Sequence, residues 1–216
     1  MKLKLKVCGM KYAENIQQVA ALQPDYMGFI FYEPSPRFVG EDFVLPSNFP
    51  MQINRVGVFV DQPEEYILSK IIRYGLSHVQ LHGNESPVLC ESLRRKQVKI
   101  IKVFSISTEF DFNLLKPFVG VVDIFLFDTK GLKPGGNGVA FDWKILSGYN
   151  YDIPFFLSGG LNMENISGLS GLNFKGLYGL DINSGVEIHP GLKDKDKIKE
   201  LIVHLQTTNN EQPTTI

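Results

Sequence analysis

Short apolar runs, each closed by turn residues and followed by a stretch of mixed polarity, recur eight times along the chain. They are Leu3–Cys8, Tyr26–Phe31, Arg55–Val60, Val79–His82, Val98–Phe104, Val122–Phe127, Pro154–Leu157 and Leu177–Ile182, enriched in β-branched and aromatic residues as strands are. Helix signals fall between them. Glu64–Tyr74 follows Asp61 and Pro63, Val88–Lys96 follows Ser86-Pro87, and Lys193–Leu205 places Ile198, Leu201, Ile202 and Leu205 on one face. The signals are weaker at Phe110–Phe118 and over Asn162–Leu169, which Ser167-Gly168 shortens. Eightfold alternation without a break in composition predicts an α/β fold consisting of a single (β/α)8 TIM barrel over residues 1–205. The competing architecture is an open doubly wound sheet of five or six strands, for which two of the weaker runs would have to be something else. With 216 residues against the usual ~250, a barrel would have short loops. The segment Gln206–Ile216 is polar, rich in Thr and Asn, and expected to be a frayed tail.

Charge and cysteine content narrow the partners. Twenty-two basic and 23 acidic side chains give a net charge of -1, which argues against a general polyanion binder, and 12% aromatic residues argue against disorder. Nucleic acid is not an expected partner. The apolar stretch Val119–Phe127 is interrupted by Asp123 and is far shorter than the ~20 residues of a membrane span. The first residues alternate lysine with apolar side chains, unlike a secretory signal, and two cysteines form no disulfide framework. A cytoplasmic protein acting on a small molecule, as a monomer or homodimer, is the expectation.

In a barrel, functional residues sit at the C-terminal ends of strands. The first strand would send Leu3, Leu5 and Val7 toward the helices and Lys2, Lys4, Lys6 and Cys8 inward, since side chains alternate. Cys8 then points into the mouth one pleat above Lys6, whose charge favours a thiolate; a buried inert thiol is the plainer alternative. The sixth run ends at Asp128, which either caps the next loop or serves as an acid. Behind it, the loop Gly131–Gly138 matches neither a P-loop nor a dinucleotide fingerprint and reads better as a lid. Gly159-Gly160 after the seventh run and Asn183-Ser184-Gly185 after the eighth are suited to presenting backbone N–H groups to a phosphate; two ordinary tight turns are the alternative. Arg37, in the stiff segment Pro34-Ser-Pro36-Arg37, has a planar fork that fits a substrate carboxylate, with a plain surface arginine as the alternative. His82 ends the fourth run as a candidate substrate-site residue, with satisfaction of a neighbouring polar group as its alternative. The histidines show no metal-site spacing, so no metal is expected.

Taken together, these segments resemble the phosphoribosylanthranilate isomerase family of tryptophan biosynthesis. The resemblance runs from Lys6 to about Leu205 and rests on Lys6-Val-Cys-Gly9, Gly28–Arg37, Val56–Val60, Val79-Gln-Leu-His-Gly83, Phe127-Asp128 with the glycines 135–138, Phe141-Asp-Trp143, Leu157–Leu161 and Asp181–Glu187. It implies an Amadori rearrangement of an aminoaldose to an aminoketose, with Asp128 as general acid and Cys8 as general base. It also implies Arg37 at the anthranilate carboxylate, Asp181 close to the substrate, the Gly159-Gly160 and Asn183–Gly185 loops at the phosphate, and no cofactor. Lys6 is expected to help the Cys8 thiol lose its proton, since an acid/base pair needs one member protonated and the other not. Two alternatives stay open here. One is another phosphosugar barrel sharing the phosphate site; the other is a non-catalytic phosphosugar-binding barrel, which would need no acid/base pair.

Overall fold

The computed structural model describes residues 3–129, 143–166 and 174–208. The glycine-rich segment 131–138, the end of the Asn162–Leu169 helix signal and most of the 206–216 tail lie outside the described residues. Eight parallel strands close into a barrel in chain order: β1 (Lys4–Val7), β2 (Tyr26–Ile30), β3 (Asn54–Phe59), β4 (His78–Leu81), β5 (Lys99–Ile106), β6 (Ile124–Thr129), β7 (Phe155–Ser158) and β8 (Leu177–Ile182). The ring is sealed by β1 against β8, with Lys4 opposite Gly179 and Lys6 opposite Asp181. All eight apolar runs are strands, with ends displaced by no more than two residues.

Alternation along each strand separates two cores. Leu5 and Val7 face outward and pack with Ile16 and Val19 of α1 (Ala13–Ala20) in the main core, while Tyr26, Val56, Ile101, Leu126 and Phe156 fill the barrel interior. Toward the C-terminal end a third, smaller group of Cys8, Ile30 and Val58 lines the mouth.

The helical layer is less regular than the strands. Helix α2 occupies the expected Glu64–Tyr74, ending at Gly75 in a left-handed conformation, and α3 (Pro87–Arg94) starts where Ser86 Oγ accepts from Leu89 N–H with Pro87 behind it. Helix α1 is unforeseen, because its buried face carries the polar Asn15 beside Ile16, Val19 and Ala20, and Tyr12 offers no side-chain cap. The expected helix over Phe110–Phe118 is instead a 3-10 segment, Phe112–Phe118, containing Pro117. A second 3-10 segment, Trp143–Gly148, follows β6, and the described part of the Asn162–Leu169 signal is a single turn, α4 (Met163–Ile166). No helix follows β2 at all: residues 31–53 run as irregular chain.

Where the described residues put no α-helix over the strands, aromatic side chains fill the place. Under the 3-10 segments, Phe104, Phe110, Phe112, Phe125, Phe127, Tyr149 and Phe155 touch one another in sequence, with Phe127 and Phe155 ring centres 4.9 Å apart. Under residues 31–53, Phe29, Phe31, Phe43, Phe49, Phe59 and Tyr74 do the same. A large planar side chain buries ~150–250 Å2, enough for one ring to replace several aliphatic contacts from a helix face.

Beyond β8 the chain makes a short antiparallel hairpin, β9 (Glu187–His189) and β10 (Leu192–Lys193), before α5 (Lys195–Thr208). The final helix thus starts two residues later than its pattern predicts and continues to Thr208. Lys193 belongs to the hairpin because its backbone is held there by Asn15, whose Oδ1 accepts from Lys193 N–H and whose Nδ2 donates to Lys193 O, both at 2.8 Å. Among the described residues no helix is long and apolar enough to cross a membrane.

Candidate active site

At the C-terminal end of the barrel, a cavity of about 210 Å3 is lined by Cys8, Ile30, Val58, Gln80, His82, Asp128, Ser158, Gly159, Gly160, Leu161, Asp181, Asn183, Ser184 and Gly185. Nine of the ten residues singled out from the sequence meet in it. The tenth, Arg37, stands at its edge beside Gly9. A larger hollow of about 560 Å3 opens at the other end of the barrel, but there Asp123 is already engaged by Lys99 at 2.9 Å.

Below the cavity lies a buried ion pair. Lys6 Nζ donates to Asp181 Oδ1 at 2.8 Å, and the two side chains are 0% and 5% exposed. Parallel pairing puts them at the same level of β1 and β8. Burial works against the Lys6 ammonium most strongly, but Asp181 and Cys8 together outweigh it and hold its pKa above the ordinary lysine value. Burial also raises Asp181, with Lys6 opposing.

Cys8 sits one pleat above Lys6, at a place where β2 must come close. A Cβ on Gly28 would lie 2.8 Å from the Cys8 sulfur and 3.3 Å from Lys6 Nζ, so only glycine lets sulfur and ammonium share that corner. The expected electrostatic aid from Lys6 is present but does not win. Burial pushes the Cys8 thiol up most, Lys6 draws it down, Asp181 raises it, and the net direction is upward. The same strand interior that brings the ammonium near also removes the water that would solvate a thiolate, so burial and Lys6 oppose one another at this sulfur.

Across the mouth, β6 carries Asp128 and β4 leads to His82, with His82 Nε2 3.6 Å from Asp128 Oδ2 and the side chains 37% and 31% exposed. Gln80 below them fixes the imidazole. Its Nε2 can only donate, so His82 Nδ1, 3.4 Å away, accepts, and the ring proton is left on the nitrogen facing Asp128. The other end of that amide, Gln80 Oε1, is buried with no hydrogen-bond partner among the described residues.

The two loops expected to meet phosphate stand side by side. Gly159 and Gly160 both have positive φ, 104° and 61°, and line the cavity with Asn183, Ser184 and Gly185. Arg37, however, does not present an empty fork. Its Nε donates to Glu187 Oε1 at 2.9 Å and its Nη2 to Glu187 Oε2 at 2.6 Å, which leaves the Nη1 side facing away from the pair. Glu187 in turn accepts from Lys193 Nζ at 2.7 Å and Gly191 N–H at 2.9 Å. Burial raises Glu187 most, but Arg37, Lys193 and Gly191 together hold its carboxyl below the ordinary value.

Gln80, which lines the cavity, and Glu187 and Lys193 beside it, were assigned no role by the sequence reading. Glu187 and Gln80 lie inside motifs already recognised. Lys193 carries no signal of its own, because it reads as the polar start of the last helix.

Comparison with known proteins agrees with this geometry. Residues 5–204 match the family model described as N-(5'-phosphoribosyl)anthranilate (PRA) isomerase. The chain is 44% identical over 201 residues to N-(5'-phosphoribosyl)anthranilate isomerase of Parabacteroides distasonis, covering 92% of this chain and 91% of the relative. It is 42% identical to the enzyme of the same name from Phocaeicola vulgatus, covering 94% and 97%. The crystal structure of phosphoribosyl anthranilate isomerase from Thermotoga maritima superposes with a TM-score of 0.77 at 32% identity, covering 95% of this chain and 99% of that one. A structure of such an enzyme in complex with reduced 1-(o-carboxyphenylamino)-1-deoxyribulose 5-phosphate has a TM-score of 0.74 at 29% identity, with coverage of 95% and 99%. With its eightfold barrel, Cys8 and Asp128 lining one mouth and its paired glycine-rich loops, the chain belongs to the N-(5'-phosphoribosyl)anthranilate isomerase family.

Proposed function

We propose that the protein catalyses the Amadori rearrangement of N-(5'-phosphoribosyl)anthranilate to 1-(2-carboxyphenylamino)-1-deoxyribulose 5-phosphate, a step of tryptophan biosynthesis. The observation that carries the reading is that Cys8 and Asp128, from strands on different sides of the ring, line one cavity together with the Gly159-Gly160 and Asn183–Gly185 loops. A protein that only binds phosphosugars needs the loops and not the pair. A phosphosugar barrel of other specificity needs neither Cys8 facing Asp128 nor Arg37.

In this mechanism Asp128 gives its proton to the furanose ring oxygen. The C1–O bond breaks, the anthranilate nitrogen supplies its electron pair, and a protonated Schiff base forms. Cys8, reacting as its thiolate, then takes the proton from C2 and becomes the thiol, and the C–H electrons flow into the iminium to give an enolamine. Tautomerisation moves a proton to C1 and leaves a ketone at C2, so every atom of the substrate is retained. The iminium is the electron sink, and the residues ask for no cofactor.

The environment of each group fits its step. His82, held through Gln80, keeps an N–H toward Asp128 and steadies the carboxylate left after proton transfer. Lys6 draws the Cys8 thiol down against burial, so the reacting thiolate has a cation beside it inside the barrel. Asp181 keeps Lys6 in place below the reacting carbons. Gln80 Oε1, a buried acceptor beside the cavity, is suited to a sugar hydroxyl. Arg37 meets the anthranilate carboxylate with the guanidinium side that Glu187 leaves uncovered.

The test is to generate the substrate from anthranilate and phosphoribosyl pyrophosphate with the preceding transferase, add the protein, and measure aminoketose formation. Acceleration by the wild type is expected. Cys8→Ala and Asp128→Asn should each lose most of kcat with little change in KM, because both act chiefly in the transition state. A folded wild-type protein that gave no acceleration would refute the reading.

A further inference from the structure

We propose that Lys193 is a positioning residue of the substrate site: its buried ammonium, set between Glu187 and Asn183, fixes the Arg37 guanidinium and the β8 loop relative to one another. The proposal rests on the preceding reading, in which Arg37 meets the substrate carboxylate and the β8 loop its phosphate.

Three contacts define the arrangement. Lys193 Nζ donates to Glu187 Oε1 and to Asn183 Oδ1, both at 2.7 Å, and to Asn183 O at 3.3 Å. The three donors of the ammonium thus go to one carboxylate and to both oxygens of a single loop residue, and the side chain is 0% exposed. Glu187 spends its two oxygens on Lys193, Gly191 and the Arg37 fork, so the guanidinium cannot rotate without giving up charge-assisted bonds. Gly9 shows how closely the parts meet, for a Cβ there would lie 2.7 Å from Asn183 Oδ1, 2.8 Å from Arg37 Cδ and 3.3 Å from Lys193 Nζ. One cation therefore touches the device that would grip the aromatic carboxylate and the loop that would grip the phosphate, and these are the two anionic ends of one substrate.

Charge count points the same way. Arg37, Glu187 and Lys193 sum to one positive charge at the rim. Without Lys193 the cluster is neutral, and Glu187 competes with the incoming carboxylate for Arg37. A lysine serving only to staple the hairpin would have no reason to reach past it to Asn183. The seat of Lys193 is itself set from outside the site, since both backbone polar groups of Lys193 are held by Asn15 of α1.

The experiment measures binding of two ligands, the reduced aminoketose product and its analogue lacking the ring carboxylate, alongside steady-state kinetics on the enzymatically generated substrate. In the wild type, removal of the carboxylate should weaken binding at least tenfold. In Lys193→Met that discrimination should fall below threefold, KM should rise at least tenfold, and kcat should stay within about threefold, since the acid and base are untouched. Asn15→Ala, which loosens the seat of Lys193 without removing its charge, should shift discrimination and KM in the same direction by a smaller factor. It also provides the reading if Lys193→Met does not fold. If both ligands weaken by the same factor in the variants, so that discrimination is unchanged, Lys193 is only structural and the proposal fails. If the wild type itself neither turns over the substrate nor distinguishes the two ligands, the functional reading beneath it fails instead.

Discussion

At the scale of single residues, the site sets burial against local charge, and Cys8 feels both. Burial raises its thiol and Lys6 lowers it, with burial ahead. The rate of Cys8 alkylation should therefore climb with pH through a midpoint above the ordinary thiol value, and in Lys6→Met the midpoint should move higher still. An unchanged midpoint in that variant would show that Lys6 does not act on the thiol. Removing one partner of a buried pair also leaves Asp181 uncompensated, so Lys6→Met should lose about 3–5 kcal/mol of stability in denaturant titration. Most of this site could be read from the chain, because its residues fall at strand ends where β-periodicity fixes which side chains turn inward. Cys8 and Lys6 were legible in that way. The net direction of the Cys8 shift was not, since desolvation depends on how tightly Gly28 lets β2 approach. Lys193 was hidden for a different reason: its partners are 6 and 10 residues away across a hairpin turn, a spacing that matches neither strand nor helix.

At the scale of elements, strands were far more legible than helices. Eight runs of buried β-branched and aromatic residues carry their own period, whereas the outer layer is set partly by what the rings beneath it already fill. Where Phe and Tyr cluster, a 3-10 segment or irregular chain is enough of a cover, and no helical period is written into residues 31–53 or 143–148. Those rings should then carry stability that a helix supplies elsewhere. Phe127, fully buried and in contact with Phe110, Phe112, Phe125, Tyr149 and Phe155, should lose about 3–5 kcal/mol on substitution by alanine. A loss under 1 kcal/mol by chemical denaturation would mean that the cluster is not a structural substitute for helices. Strand β4 contributes a pH dependence. His78 is 7% exposed against the edge of Tyr26, and burial, aided by Lys99 and Lys6, lowers its pKa from 6.5 to about 4. The unfolded chain therefore binds a proton between those two values that the folded chain refuses. Stability should fall as pH drops from 6.5, by up to about 3 kcal/mol once pH is below 4. His78→Gln should remove that part of the slope in urea titrations at a series of pH values, and an unaltered slope would assign the acid sensitivity to other groups.

At the scale of the whole molecule, near-neutral charge and an anionic substrate are reconciled by placement. The positive side chains that matter are buried or half-buried at one end of the ring, in Lys6, Arg37 and Lys193, each with a carboxylate partner. No basic surface is required. The ring itself has one further property. Because β1 pairs with β8 as β2 pairs with β3, and α1 packs against α5, the first unit is the neighbour of the last just as it is of the second. Covalent order and spatial order are then separable. A circularly permuted chain, joined from the end of α5 to the start of β1 by a flexible linker and reopened in the exposed turn at Ser107–Glu109, should fold to the same barrel. It should unfold in one cooperative step at a midpoint near that of the parent, and should retain turnover, since that turn contributes nothing to the cavity. Loss of cooperativity would mean that the seam between β1 and β8 depends on being formed last. If the permuted chain behaves as expected, where the chain starts is a convention of the gene, and the fold is encoded by the cycle of neighbours.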